Sequence, residues 1–477
     1  MAIPLGACHS LPRIEGTRQK TNWLALFAMG IAVVVIANDF SAINVALPTM
    51  EKDFDTDVST IQWVVNAYAL TFGVMIVTGG RLADMFGRRN AFFLGTAIFA
   101  TMSALGGAAQ SEAWLIACRT LMGIGGALMW PAILGMTFAI LPEEKAGLAG
   151  GIILGAAGLG NAVGPLIGGV LTELLSWRWI FFLNVPIAVF AVLVTYFLVH
   201  VKEPESEERQ IDYPGIAAIS IGLVSLLVAL DQVDAWGWGD PKIVALLALA
   251  VIGVLAFVPI ERRADRHALV PPEVMRNESF RASCFAILFM SATFFAALLY
   301  LPQFMEKQLG YSPLEAGVGL LPFLGTFALV SFIAGPLYDR LGAKKLVVFG
   351  AACITLAPFL FSLVDRDSGY SSLLAGMVVL GLGVGSFYPT ATTAGVTSVD
   401  ESQTALAGGI VYMFQIAGGS IGLGLTTTVF SAQVPPFVDG IQAAFRLDAA
   451  LSLIGLVIAL LFVGGRLFGR SRAKAAS

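Results

Sequence analysis

Apolar segments of about twenty residues follow one another along the whole chain, separated by short breaks that contain charged residues, glycine or proline. A helix of roughly that length crosses the ~30 Å of hydrocarbon in a bilayer. The pattern predicts fourteen transmembrane helices, and an even number places both ends of the chain on one side of the membrane. The predicted spans are 22–47, 59–80, 90–110, 113–138, 146–172, 179–200, 212–230, 242–260, 281–304, 314–336, 344–364, 372–394, 404–431 and 448–467.

The composition agrees with an all-α integral membrane protein. Of the 477 residues, 57% are hydrophobic and 13% are charged, about half the charged fraction of a soluble domain. The longest polar stretches, 201–211 and 261–281, are short linkers, so we expect no catalytic domain and no enzyme. The basic residues are spread out rather than grouped, which argues against nucleic-acid binding. The cysteines and histidines are dispersed, so no metal site is expected.

The distribution of Lys and Arg sets the orientation, because positive residues concentrate on the cytoplasmic side. Of the 28 Lys and Arg residues, six fall in the predicted outer loops, one lies inside a span, and the remaining 21 share the side of the termini. The asymmetry predicts a multi-pass protein of the cell (plasma or inner) membrane with both termini in the cytoplasm.

Two stretches of the chain read alike. GGRLADMFGRRN (Gly79–Asn90) and AGPLYDRLGAKK (Ala334–Lys345) each join two spans, and their aspartates, Asp84 and Asp339, are 255 residues apart. Two more landmarks recur 258 residues apart: WPA at Trp130 with YPT at Tyr388, and LAGG at Leu148 with LAGG at Leu406. The near-constant spacing predicts two six-helix pseudo-repeat bundles with an inserted helix pair between them, and a substrate site between the bundles.

The repeat divides the chain into five segments. They are a cytoplasmic N-terminal segment (1–21), an N-terminal six-helix bundle (22–200), a linker with two extra helices (201–280), a C-terminal six-helix bundle (281–467) and a cytoplasmic tail (468–477).

Several motifs resemble the fourteen-helix drug:proton antiporter branch of the major facilitator superfamily. GGRLADMFGRR is similar to the superfamily's signature between spans 2 and 3, and GNAVGPLIGG (Gly160–Gly169) resembles the span-5 motif of its exporters. DFSAINVALP, WVVNAYAL, WRWIFFLNVP and LGYSPLEAG resemble signatures of the branch. The resemblance implies proton-coupled export of amphipathic small molecules by alternating access. The implied partners are the substrate, H⁺ and the lipid bilayer, for a monomer that needs no cofactor.

The signature between spans 2 and 3 predicts a gate at the cytoplasmic side. Its glycines permit close helix approach, and its acid lies beside several arginines. The resemblance implies that this network closes the cytoplasmic side in the outward-facing state. The alternative is that the arginines only set topology, which would need neither the acid nor the glycines. The gate residues are Gly80, Arg81, Asp84, Gly87, Arg88 and Arg89, with Asp339 and Arg340 in the second half.

The span-5 motif places small residues four apart on one helix face, where they allow close packing, and its proline invites a bend. We expect a flexible, tightly packed seam between the two bundles, and ordinary helix packing is compatible with the same spacing. The motif residues are Gly160, Gly164, Pro165, Gly168 and Gly169.

Two opposite charges are predicted inside the membrane. Asp39 lies about eight residues, or ~12 Å, from the outer end of span 1, and Arg119 about six residues, or ~9 Å, from the outer end of span 4. Their lateral proximity is implied by the resemblance. A buried carboxyl beside an arginine is suited to proton coupling, and the alternative is a structural ion pair. Outside the loop motifs no other acid is predicted well inside a span, which argues against strongly cationic substrates.

Polar and aromatic residues at mid-depth are candidates for the substrate cavity. They are Asn38, Asn44, Tyr68, Tyr300, Gln303, Tyr412 and Gln415. Uptake or facilitated diffusion of a small metabolite on the same fold is the alternative to export, and the span-5 motif counts against it.

Overall fold

The computed structural model describes residues 23–199, 212–264, 268–433 and 437–464. In these ranges the chain forms helices joined by short turns, and no strand occurs. The predicted segments 1–21 and 468–477 lie outside the described residues, as does the linker stretch 201–211. The helices are α1 (Trp23–Phe54), α2 (Val58–Phe86), α3 (Arg88–Gly107), α4 (Glu112–Ile140), α5 (Ala146–Leu174), α6 (Arg178–Leu198), α7 (Tyr213–Trp236), α8 (Pro241–Ala264), α9 (Pro272–Arg276), α10 (Glu278–Lys307), α11 (Pro313–Gly319), α12 (Leu321–Leu341), α13 (Ala343–Phe361), α14 (Tyr370–Val396), α15 (Thr404–Gln433) and α16 (Phe437–Phe462).

Fourteen helical segments in the described ranges are long and apolar enough to cross a membrane, with α11 and α12 together forming one of them. The predicted number of spans is therefore confirmed. The end of the molecule at which α1 begins and α16 ends is called the inner end below, and the opposite end the outer end.

The tenth span is interrupted near its outer end. The break between α11 and α12 lies at Leu320, two residues before Pro322. Proline has no N–H for a helical hydrogen bond to the preceding turn, so the chain restarts with the Phe323 N–H donating to the Leu320 carbonyl (3.0 Å). The hydroxyl of Tyr370 donates to the freed carbonyl of Gly319 (2.9 Å).

The two bundles repeat one packing pattern. In the first, α1 packs on α5 and α6, α2 on α4, and α3 on α4 and α6; in the second, α10 packs on α15 and α16, α12 on α14, and α13 on α14 and α16. The bundles meet where α5 packs on α12 and α14, and where α15 packs on α2 and α4. The inserted helices α7 and α8 pack on each other, and α7 also contacts α2 and α15.

The last span begins eleven residues before its predicted start. The predicted span begins at residue 448, after the charged residues Asp439 and Arg446, but α16 begins at Phe437. Both charges lie in the first turns of the helix, where Arg446 is exposed and Asp439 faces Arg366 at 3.8 Å. The correction moves Asp448 from the edge of the span to the interior of the bundle.

Candidate functional site

Asp39 and Arg119 are in direct contact inside the first bundle. Both side chains are fully buried, and Nη1 of Arg119 donates to Oδ2 of Asp39. The second carboxylate oxygen accepts a hydrogen bond from Nδ2 of Asn184 on α6 (3.0 Å). The carboxylate therefore has a charged partner on α4 and a neutral partner on α6. A buried charge needs such an ion pair and hydrogen bonds to offset its desolvation.

The guanidinium of Arg119 is held by α2 as well. Its Nε donates to the Val64 carbonyl (2.8 Å), and its centre lies 4.2 Å from the Tyr68 ring, within the range of a cation–π contact. Its Nη2 has no partner in the described residues. Arg119 can thus stay in place when its bond to Asp39 is lost, because α2 still holds it.

Asn184 was not singled out from the sequence. It belongs to the WRWIFFLNVP motif, and an amide inside an apolar span was the signal that could have identified it. Its Nδ2 also lies 3.2 Å from Oγ of Ser103, which in turn donates to the Phe181 carbonyl (2.8 Å). The network around Asp39 therefore joins five helices: α1, α2, α3, α4 and α6.

Aromatic rings lead from this network to the other bundle. Phe40 packs edge-on against Tyr68 (4.7 Å between ring centroids), and Phe72 lies 5.9 Å from Tyr68. Across the interface, Tyr412 of α15 lies 5.6 Å from Phe72 and 4.4 Å from Trp130. We call Tyr68, Phe72, Trp130 and Tyr412 the aromatic bridge. It brings together two of the predicted cavity residues and connects Arg119 with the second bundle.

Two other predicted cavity residues, Tyr300 and Gln303, lie on α10 of the second bundle. The hydroxyl of Tyr300 donates to Oγ1 of Thr427 (3.0 Å) within the second bundle, and Gln303 accepts a bond from Lys307 (3.3 Å) near the outer end of α10.

Three further candidates differ in exposure. Asn44 is exposed and donates to the Phe40 carbonyl (3.0 Å), one turn along α1 from Phe40, whose ring contacts Tyr68. Asn38 and Gln415 are buried, and Oδ1 of Asn38 lacks a partner in the described residues.

At the inner end, Asp84 closes one contact between the bundles. Its carboxylate accepts the backbone N–H groups of Leu406 (2.8 Å) and Ala405 (3.3 Å) in the first turn of α15, where the helix dipole favours a negative charge. Arg88 donates to Asp84 (2.9 Å) and to the Glu401 carbonyl of the other bundle. Asp84 and Arg88 are 4% and 2% exposed, so water is excluded from this contact.

Gly80 and Gly87 serve the same contact in different ways. A Cβ on Gly80 would lie 2.7 Å from the Ala405 carbonyl oxygen, so only glycine permits this approach of α2 to α15. Gly87 adopts φ 99° between α2 and α3, a conformation that favours glycine.

The second half repeats the acid but not its arginine. Asp339 accepts the N–H groups of Gly147 (2.7 Å) and Leu148 (3.2 Å) at the start of α5. Arg340 is exposed and forms no ion pair within the described ranges. Residue 343, which the 255-residue spacing matches to Arg88, is alanine. The two acids thus each cap the fifth helix of the opposite bundle.

Arg89, another of the predicted gate residues, forms a hydrogen bond within the first bundle. Arg89 donates to the Tyr196 carbonyl in the last turn of α6 (2.6 Å). Its repeat equivalent, Lys344, donates to the Ala459 carbonyl in the last turn of α16 (3.0 Å). These two contacts lie within single bundles, so the bond from Arg89 to Tyr196 stabilises the first bundle. Arg81 is half-buried near this end of α2.

The span-5 glycines face α1. A Cβ would lie 2.6 Å from the Val34 carbonyl oxygen at Gly160, 1.9 Å from the Ser41 hydroxyl at Gly164, and 2.2 Å from the Ala42 carbonyl oxygen at Gly168. The prediction of a seam between bundles is therefore wrong for these three residues, because their common face meets a helix of their own bundle.

Pro165 and Gly169 point the other way. A Cβ on Gly317 of the second bundle would lie 3.1 Å from the Pro165 side chain, and one on Gly169 would lie 2.8 Å from Leu314. The glycines that bring α5 to α12 lie nearer the start of α5, at Gly147 and Gly151, where an added Cβ would lie within 3 Å of the Gly335 backbone. The four-residue spacing of the motif does not by itself separate these two faces.

The prediction that Asp39 is the only acid well inside a span is also wrong. Asp448 is fully buried in α16. The error follows from the misplaced start of this helix.

The comparisons with known proteins agree with this architecture. The family model described as Major Facilitator Superfamily matches residues 29–327 and 283–476. The tetracenomycin C resistance and export protein of Streptomyces glaucescens is 30% identical over 90% of this chain and 79% of its own length. The puromycin resistance protein of Streptomyces alboniger is 32% identical over 93% of this chain and 88% of its own.

A solved structure shows the same fold. The human organic anion transporter MFSD10 superposes with a TM-score of 0.67 at 14% identity, covering 92% of this chain and 99% of that one. Together with the family match over most of the sequence, this identifies the chain as a member of the Major Facilitator Superfamily of membrane transporters.

Proposed function

We propose that the protein is a proton-coupled exporter of amphipathic small molecules such as antibiotics, drugs or dyes, working by alternating access in the cell membrane with both termini in the cytoplasm. The observation that carries the proposal is the fully buried contact of Asp39 with Arg119. An ionisable pair inside a membrane protein marks a functional site more often than a stabilising one. The names of the two bacterial relatives support export of antibiotics.

Protonation of Asp39 would weaken its bond to Arg119, because the neutral carboxyl no longer attracts the guanidinium. Arg119 would keep its bond to Val64 and its contact with Tyr68 on α2. The link from α1 to α4 would therefore loosen while the link from α4 to α2 stays. In this way one proton changes how α1 is held within its bundle.

A substrate would compete with that proton through the aromatic bridge. Tyr68 contacts Arg119 on one side and belongs to the bridge on the other. An amphipathic molecule that binds among these rings would displace Tyr68 and so alter the environment of Arg119. Apolar rings with few charges suit flat, hydrophobic molecules.

The contacts at the inner end correspond to a state closed toward the cytoplasm. Asp84 caps α15, Asp339 caps α5, and α5 lies on α12 without space for a Cβ at Gly147 or Gly151. Opening this end requires both caps to separate. The driving force would come from the change at Asp39 together with the release of substrate.

The test uses everted membrane vesicles from a host that lacks its own drug pumps. With an acid interior established, addition of puromycin should dissipate the pH gradient in vesicles that contain the protein and not in vesicles without it. The host should also resist puromycin in growth assays. Puromycin movement that is unaffected by the pH gradient would contradict proton coupling and favour facilitated diffusion. Concentrative uptake by intact cells would favour an importer.

A further inference from the structure

Asp448 is a buried acid that the proposed mechanism leaves unused. It lies eleven residues into α16, or ~17 Å along the helix, and its side chain is fully buried. Neither carboxyl oxygen has a hydrogen-bond partner among the described residues, and no described basic residue forms an ion pair with it.

The contacts of α16 place Asp448 against the middle of α10. The ring of Phe445 lies 6.2 Å from Tyr300, and a Cβ on Gly455 would lie 3.0 Å from the Met290 side chain. Because later residues of α16 meet earlier residues of α10, the two helices are antiparallel. Asp448 falls between these two contacts.

The same register sets Asp448 level with about residue 297 of α10. Ala297 is fully buried, and the 258-residue spacing of the repeat matches it to Asp39. The first bundle places its acid on its first helix, facing Asn184 of the sixth. The second bundle places its acid on the sixth helix, facing the equivalent position of the first.

No charged side chain on the neighbouring helices neutralises Asp448 in the described part of the chain. On α13, Lys344 bonds to the Ala459 carbonyl, eleven residues further along α16. The other titratable or charged groups on α16 and the helices packed against it are Asp439 and Arg446 at the start of α16, Glu278, Arg281 and Cys284 toward the inner end of α10, Tyr300, Glu306 and Lys307 toward its outer end, Lys345 and Cys353 on α13, and Tyr412 of the aromatic bridge on α15.

An isolated ionised carboxylate in such surroundings is strongly disfavoured, and the group takes up a proton instead. A bound metal cation would need several oxygen ligands, and no group of three or more His, Cys, Asp or Glu side chains that could hold one occurs in the described residues. Even a neutral carboxyl without a hydrogen-bond partner is unfavourable in the interior compared with an apolar residue. Asp448 therefore does not stabilise the bundle, which favours a role in transport.

We propose that Asp448 is a second proton-binding site, occupied by a proton in the conformation described here and emptied when the bundles rearrange, so that the cycle moves one proton more than Asp39 alone would carry. The binding of the proton follows from the surroundings of Asp448 alone. Its release during the cycle rests on the proposed function.

Infrared difference spectroscopy on the purified, substrate-free protein at neutral pH tests the binding. Subtracting the spectrum of Asp448→Asn from that of the wild type should leave one carbonyl band of a protonated carboxyl. Asp439→Asn, on the exposed outer part of the same helix, is the matched control and should leave none. Asp448→Glu should keep a band at a shifted frequency, which retains the test if the Asn variant does not purify. A difference spectrum that shows only an ionised carboxylate would overturn the proposal.

Proton counting in proteoliposomes tests the release, with puromycin as the probe. The number of protons exchanged per puromycin should fall by one in Asp448→Asn and stay unchanged in Asp439→Asn. An unchanged ratio in Asp448→Asn would overturn the coupling role. A wild-type protein that exchanges no protons for puromycin would contradict the proposed function instead, and the infrared result would still decide whether Asp448 holds a proton.

Discussion

The two six-helix bundles share one packing pattern, but the partners of their acidic residues differ. In the first bundle, Asp39 is held by Arg119 and Asn184, and Asp84 at the inner end has Arg88 beside it. In the second, Asp448 has no partner in the described residues, and Asp339 caps α5 without an arginine at the position that matches Arg88.

This difference between the bundles distinguishes two kinds of contact. Some contacts occur in both bundles and stabilise the fold, whereas the buried ion pairs occur in the first bundle alone among the described residues. Both bundles cap the opposite fifth helix with an aspartate, and both bond a basic residue to the end of their own sixth helix. These duplicated contacts satisfy backbone groups that any helix end leaves free. Arg119, in contrast, has Met377 at its 258-residue match. We infer that the charged network of the first bundle is a specialisation for transport.

Removing Arg119 should have the largest effect on stability. In Arg119→Ala the Asp39 carboxylate stays buried with Asn184 as its remaining partner, and breaking a buried pair in this way costs about 3–5 kcal/mol. Thermal unfolding in detergent should show a clear fall in Tm. Asp448→Asn, which breaks no pair, should leave Tm nearly unchanged.

The double variant Arg119→Ala/Asp39→Asn sharpens this comparison. It removes both charges, so it should be more stable than Arg119→Ala alone. Equal Tm values for the single and the double variant would show that the pair is not the source of the loss.

Replacing a tightly packed glycine by alanine should destabilise the two bundles about equally. A Cβ at Gly164 would lie 1.9 Å from Ser41 on α1, and at Gly422, its match 258 residues later, 2.2 Å from Ala292 on α10. Overpacking of this kind costs about 1–3 kcal/mol, so Gly164→Ala and Gly422→Ala should lower Tm by similar amounts. Gly325→Ala, where nothing lies within 4 Å of the added atom, is the matched control and should not lower it.

Transport by these variants tests the span-5 motif itself. If its packing against α1 is only structural, both glycine variants should retain transport in proportion to the folded protein. A loss confined to Gly164→Ala would show that the first bundle uses this crossing in the transport cycle.

The two inner caps should differ in strength, because one is buried and the other exposed. Arg88→Ala removes a buried charge from the Asp84 cap and should slow puromycin transport by about tenfold, the rate equivalent of 1.4 kcal/mol. Asp339→Asn weakens an exposed cap worth about 0.3–1 kcal/mol and should slow transport by less than about fivefold. Initial rates in vesicles measure both, and a larger effect of Asp339→Asn would contradict the ranking.

Much of the fold could be predicted from the sequence because apolar length is a direct physical signal. The fourteen spans followed from it, and the duplication was predicted from motifs that recur at a near-constant spacing. Family membership confirms a transporter rather than an enzyme. The start of α16 was missed because Asp439 and Arg446 look like loop residues, whereas a helix can carry charges in its outermost turns. With that boundary wrong, Asp448 could not be recognised as buried.

The site was only partly predictable for a related reason. Spacing along a helix shows which residues share a face, but not which neighbour that face meets. Gly160, Gly164 and Gly168 were correctly placed on one face, yet that face meets α1 rather than the second bundle. Asn184 and Trp130 became visible as parts of the site only when the helices were packed together.

Transport by Asp39→Asn in proteoliposomes is the most direct test of Asp39 as the proton-coupling group. Asparagine has nearly the same shape but cannot take up a proton. The variant should still exchange labelled for unlabelled puromycin across the membrane, and an imposed pH gradient should no longer drive accumulation. Accumulation driven by the pH gradient at the wild-type rate would contradict the account.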